Sequence, residues 1–174
     1  MLLDIVRLSL FPALMAFAAA SDLFTMTISN RVSMLLAACF LALAVASGMA
    51  PTDILSHLGA GALVLVVAFG CFSMGWVGGG DAKIAAAAAL WFGFAHLLNY
   101  LLYASLFGGV LTILLLQIRQ WPLPYVLTGQ AWLLRLHDKQ TGIPYGIALA
   151  IGALAVYPQT EWVKAVNLAS FAMH

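Results

Sequence analysis

Residues 84–118 read IAAAAALWFGFAHLLNYLLYASLFGGVLTILLLQI, with no Asp, Glu, Lys or Arg anywhere in the stretch. A helix crossing a hydrocarbon core about 30 Å thick needs about 20 residues, so this stretch is too long for one crossing and about right for two. The polar cluster His96 and Asn99 near its middle marks the expected tight turn. The stretch therefore reads as a helical hairpin in a membrane, with spans over 82–95 and 98–118. Further apolar runs flank it at 3–20, 32–49 and 55–74 on one side and at 143–157 on the other, and a short tail over 161–173 is expected as an interfacial helix. The expected fold is all-α, a polytopic membrane bundle of about six transmembrane helices forming a single domain over 1–174. No segment shows the ten-residue alternation of an outer-membrane barrel. The run Ala85–Ala89 would let neighbouring helices pack closely.

Composition agrees with that reading. Of 174 residues, 64% are hydrophobic and 7% charged, against roughly 45–50% apolar and about 25% charged in an average soluble domain. Seven basic and six acidic residues cannot clothe a soluble surface of this size. A net charge of +1 offers no basic face for DNA or RNA, where phosphate neutralisation dominates binding. The two cysteines, Cys39 and Cys71, lie in apolar runs outside any CxxC pair, so they show no zinc, redox or disulfide motif. Ala18-Ala19-Ala20-Ser21 imitates a signal-peptide cleavage site, but Asp4 accompanies Arg7 in the leading segment, so a retained first helix is expected.

Six spans place both termini on one side. The 1–2 loop carries Arg31, the 3–4 loop Lys83, and the 5–6 loop Arg119, Arg135 and Lys139; the opposite side has Arg7 and Lys164. The excess puts these odd-numbered loops in the cytoplasm and both termini outside. Asp4, Asp53 and Glu161 then fall on the outer side as solvated loop residues, while Asp22, Asp81 and Asp138 fall inside.

Asp22 follows span 1 directly. Asp81 returns to the same face in Gly78-Gly79-Gly80-Asp81-Ala82-Lys83. Three successive glycines are poor helix interior and permit positive φ and close backbone approach, so a flexible turn is expected to present Asp81 at the mouth of the bundle. Singly, Asp81 is explained as the N-cap of the alanine-rich helix and Asp22 as a residue beyond a helix end. Ionisable groups beside hydrocarbon are costly, however, and a pair on one face is a functional candidate. Two neighbouring carboxylates share a proton and titrate together. That is the equipment of aspartic proteolysis: the ionised member takes a proton from water, which attacks a peptide carbonyl, and the protonated member polarises that carbonyl. No metal or other cofactor is called for. His137-Asp138 lacks a third metal ligand and reads as solvated loop; His57, His96 and His174 fall on the outer side.

Gly78-Gly79-Gly80-Asp81 matches the GxGD motif of membrane aspartic proteases. With Ala82-Lys83, with Asp22 and Ser29-Asn30 upstream, and with Ile143-Pro144-Tyr145-Gly146 followed by Ala148-Leu149-Ala150, the chain resembles the type IV prepilin peptidase family. The resemblance implies a bacterial inner-membrane enzyme that cuts leader peptides from type IV pilins and pseudopilins at the cytoplasmic face, with Asp22 and Asp81 as the catalytic pair. Substrates in that family have a short basic leader, a cleavage site after glycine, and a hydrophobic helix with an early glutamate. Such a helix would dock laterally from the bilayer, with Gly78, Gly80 and Lys83 on its approach; Lys83 or Arg31 equally fits the positive-inside bias. Many relatives carry a cytoplasmic insertion with paired CxxC motifs and methylate the new N-terminus. Here span 1 leads straight to Asp22 and no such cysteines exist, so the chain resembles the short, protease-only branch of Flp/Tad-type pilus systems, and S-adenosylmethionine is not expected.

The polar segment 117–142 holds Trp121-Pro122-Leu123-Pro124-Tyr125 and a short amphipathic stretch at 131–136. It reads as a plain connecting loop or as a platform over the aspartates. A small transporter using the same aspartates is the rival reading; it would place them mid-span, whereas both sit at span ends. An inert scaffold for pilus assembly would have no use for both aspartates.

Overall fold

The computed structural model describes residues 2–171. His174 and the end of the tail expected over 161–173 lie outside them. Seven α-helices follow in order: α1 (Leu2–Thr25), α2 (Asn30–Ala46), α3 (Pro51–Ser73), α4 (Gly79–Ile118), α5 (Ala131–His137), α6 (Tyr145–Val156) and α7 (Glu161–Phe171). Among the described residues there is no strand. Three helices, at Leu3–Thr25, Pro51–Ser73 and Gly79–Ile118, are long and apolar enough to cross a membrane; Asn30–Ala46 and Tyr145–Gln159 are shorter apolar helices. The protein is a helical membrane bundle.

The hairpin expected within 84–118 is present, but its reversal sits at Gly93, a few residues before His96 and Asn99. Gly93 has φ 55° and ψ −174° inside α4. Residues 81 and 104 would be about 35 Å apart on a straight helix. Here Asp81, Ala82 and Ala85 line one groove together with Leu101, Ala104 and Gly108, so the arms 79–92 and 94–118 fold back on each other. Side-chain polarity was the wrong marker for the turn. A positive φ costs an L-residue a clash with its own Cβ, and a Cβ at Gly93 would also lie 2.9 Å from His57 Nε2. A reversal in so tight a place requires glycine.

A helix that breaks leaves carbonyls without in-helix donors. At this break they are served by side chains from other helices: a His57 ring nitrogen (Nδ1) bonds Leu90 O, and Trp162 Nε1–H donates to Trp91 O at 2.9 Å. Trp91 in turn donates to Leu36 O at 3.1 Å. Around these bonds the rings of Phe11, Phe40, Trp91, Tyr157 and Trp162 pack at centroid separations between 4.6 and 6.3 Å. Trp162 is thus buried, and the first turn of α7 is part of the bundle rather than a helix resting on the interface.

Small residues set the remaining contacts. Ala85–Ala89 are all buried in the first arm of α4. A Cβ on Gly61 of α3 would lie 2.4 Å from Leu90, and one on Gly152 of α6 would lie 2.6 Å from the Ala104 backbone. Backbones this close are the way helices attract one another where lipid removes the hydrophobic drive.

Candidate active site

On α1 the fully buried residues Phe11, Met15 and Ala18 recur at helical spacing, and the next position on that face is Asp22. The helix does not stop before Asp22, as expected, but runs on to Thr25. Asp22 is therefore the last member of a core stripe, only 5% exposed. The chain then turns sharply. Met26 adopts φ 53° and donates its N–H to Asp22 O at 2.8 Å. Ser21 Oγ donates to Thr27 O at 2.9 Å and Thr25 Oγ1 to Ser21 O at 2.7 Å. These bonds return the chain towards the bundle, where Ile28 is buried.

Asp81 reaches the same place on α4. The glycines before it form no flexible turn: Gly78 is the N-cap, with φ −67°, and Gly79 and Gly80 are the first helical residues. Asp81 is thus the third residue of the helix and not its cap. The glycines serve close approach. A Cβ at Gly80 would lie 3.3 Å from Ile28 Cβ, and one at Gly78 would lie 2.8 Å from Asp81 Oδ2.

A third helix end completes the arrangement. The Gly146 N–H, at the start of α6, donates to Asp22 Oδ2 at 2.7 Å. A helix N-terminus offers unpaired N–H groups and the positive end of the helix dipole, which suits a carboxylate. A Cβ on Gly146 would lie 2.8 Å from that same oxygen and 2.8 Å from Ile28 Cδ1. Ile28 is therefore wedged between Gly80, beside Asp81, and Gly146, beside Asp22, so the two aspartates come to the same end of the bundle. Gly146 was no candidate site residue on sequence grounds; Pro144-Tyr145-Gly146, a proline and a glycine at the start of an apolar run, was the available signal.

Asp81 also lines a groove of about 740 Å³ between α3, the two arms of α4 and α6, bordered by Trp76, which is 71% exposed. Cys71 lies along it. Lys83 points elsewhere: its Nζ donates to Asn30 Oδ1 at 2.9 Å, on the side facing α2. The segment 117–142 holds α5, which leans on the end of α1 through a Phe24–Trp132 ring contact at 5.4 Å. Arg119 anchors it from below, donating to Leu136 O at 2.8 Å and Gly142 O at 2.9 Å.

The other candidates are placed apart from this site. Asp138 accepts from its own loop, from the Gln140 N–H at 2.9 Å. Glu161 pairs with Lys164 at 3.1 Å and Asp4 approaches Arg7 at 3.7 Å. His57, His96 and Asp53 border a cavity beside Gly93, at the far end of the bundle. Among the described residues no group of three His, Cys, Asp or Glu side chains is arranged to hold a metal.

Neither the curated proteins nor the solved structures contain a match to this chain. The sequence model of the type IV leader peptidase family does match it, over residues 9–113. That interval spans α1 to the second arm of α4 and contains both Asp22 and Asp81, with Gly146 beyond it. With more than half of its length so matched, the chain belongs to the type IV leader peptidase family.

Proposed function

We propose that this peptidase is an aspartic endopeptidase that removes the leader peptide from Flp-type prepilins, with Asp22 and Asp81 as its catalytic pair. The observation that carries this reading is the meeting of three helix ends, those of α1, α4 and α6, around two carboxylates, with Ile28 packed against the glycine beside each. In the reaction one carboxylate takes a proton from a water molecule as its oxygen attacks the scissile carbonyl. The other, protonated, donates a hydrogen bond to that carbonyl oxygen, and the leaving amine acquires a proton as the bond breaks. No covalent intermediate is involved. Gly146 holds one oxygen of Asp22 in a fixed direction, Gly78 keeps the space beside the Asp81 carboxylate free of a side chain, and Gly80 lets α4 approach Ile28.

The hydrophobic helix of the substrate lies in the groove between α3 and the second arm of α4, reached sideways from the bilayer. Its apolar walls and its end at Asp81 support this placement. The end that bears Asp22 and Asp81 is assigned to the cytoplasmic side of the bacterial inner membrane, because Arg31, Lys83, Arg119, Arg135 and Lys139 lie in the helix ends and connections at that end. The product leaves unmethylated.

The test is cleavage of a Flp-type prepilin by membranes containing the wild type, Asp22→Asn or Asp81→Asn at equal expression, with product masses measured. Cutting by the wild type alone, after the leader and without added methyl mass, is the expected outcome. Undiminished cleavage by either variant would remove that aspartate from the reaction.

A further inference from the structure

A second groove, of about 510 Å³, runs on the opposite side of α3, between α2, α3 and the first arm of α4. Along most of its length it is lined by apolar side chains such as Met34, Ala62, Leu65 and Ala87. At the end nearest the aspartates it is closed by the Lys83–Asn30 hydrogen bond. Lys83 is two positions beyond Asp81 on α4, about 200° around the helix, so the first arm of α4 separates this groove from the carboxylates. Arg31, exposed, follows Asn30 on α2. Among the described residues, neither Lys83 nor Arg31 lies within ion-pair distance of a carboxylate.

We infer that this groove is a binding site for an anionic phospholipid, with an acyl chain along the apolar walls and the headgroup phosphate at Lys83 and Arg31. The match is one of polarity in sequence along the groove: apolar wall at hydrocarbon depth, then the Lys83 ammonium, hydrogen-bonded to Asn30 but without a carboxylate partner, with the exposed Arg31 one residue beyond Asn30 where the helix ends meet the headgroup layer. Basic pockets between membrane helices select anionic headgroups in this way. Its volume is within the usual range for a small-molecule pocket. The inference is independent of the peptidase reaction, because the groove does not include Asp22 or Asp81.

The test is native mass spectrometry of the purified full-length protein, titrated with dioleoyl phosphatidylglycerol and, as the net-neutral control, dioleoyl phosphatidylcholine. Phosphatidylglycerol is expected to be retained more tightly. Lys83→Gln and Arg31→Gln are each expected to weaken that lipid about fivefold and to leave phosphatidylcholine unchanged. Ala62→Trp, at an exposed position on the groove wall, is expected to weaken both lipids, and Met34→Trp provides the same block from α2. Equal retention of the two lipids would overturn the site, as would a phosphatidylglycerol preference that survives both Lys83→Gln and Ala62→Trp. Displacement of the lipid by an acidic apolar peptide, lost in Lys83→Gln, would assign the groove to a protein segment and overturn it equally.

Discussion

The two ends of this bundle are built from opposite materials. At the Gly93 end the chain reverses through one glycine of positive φ, and the carbonyls it exposes are bonded by His57 and Trp162 while five aromatic rings pack around them. At the other end, three helix termini meet on glycines, and the groups they enclose are carboxylates, one of them held by a backbone N–H. Both ends face the same physical problem, which is unpaired backbone at a helix terminus next to lipid. The first solves it with large side chains that carry ring N–H donors and pack ring against ring. The second uses residues without side chains, which lets the helix ends approach closely and directs the Gly146 N–H at an anion. The contrast teaches that one end is closed by ring packing and the other by glycine contacts around carboxylates; under the proposed function the second carries the chemistry.

If the division is correct, substitutions at the two ends will separate activity from stability. The largest effect is expected from Asp22→Asn and Asp81→Asn, each lowering the cleavage rate by between about 10²- and 10⁴-fold with an unchanged melting temperature in detergent. A parallel loss of melting temperature would show that the aspartates also hold the fold. Next is Gly146→Ala, whose Cβ would meet both Asp22 and Ile28. Displacing that carboxylate is expected to lower kcat up to about 100-fold, while Gly109→Ala, at a position where a Cβ meets nothing within 4 Å, has no such effect. At the other end Gly93→Ala is expected to cost about 2 kcal/mol of stability from its positive φ, apart from the overlap with His57. Trp162→Phe keeps a ring but removes the donor to Trp91 O, a loss of about 1–2 kcal/mol, with kcat retained. Stability losses at Gly93 and Trp162 that bring a matching fall in kcat would break the comparison. The smallest effect is expected from Gly109→Leu, which narrows the groove beside Asp81: KM for a substrate with its hydrophobic helix rises severalfold, while kcat and the cleavage of a short leader peptide stay the same.

Some of this was legible in the sequence and some was not, for identifiable reasons. The hairpin in 84–118 followed from length alone, because a hydrocarbon core has a fixed thickness. Its turn was misplaced because His96 and Asn99 report affinity for water, whereas a reversal is decided by backbone conformation, and only Gly93 tolerates the φ found there. The aspartates stood out because few charges exist to compete with them. That Asp22 is a buried core position was available in the spacing of Phe11, Met15, Ala18 and Asp22, but the apparent end of the apolar run at Ala20 hid it. The three glycines were expected to form a flexible turn and to allow close approach; their dihedrals are helical or extended, and only the close approach is found, Gly80 facing Ile28, Gly79 Phe72 and Gly78 Asp81.

The sequence by itself determined that the chain is a helical membrane bundle, since 64% hydrophobic residues in runs of crossing length permit nothing else to satisfy the backbone. It also determined which acidic residues could matter. Only the tertiary structure decided that Gly146, more than a hundred residues away along the chain, donates to Asp22, that Lys83 turns from Asp81 towards Asn30, and that α7 closes the Gly93 end through Trp162. Each of these is a contact between helices distant in sequence. Local composition sets how each helix forms, but which faces meet depends on how all of them pack at once.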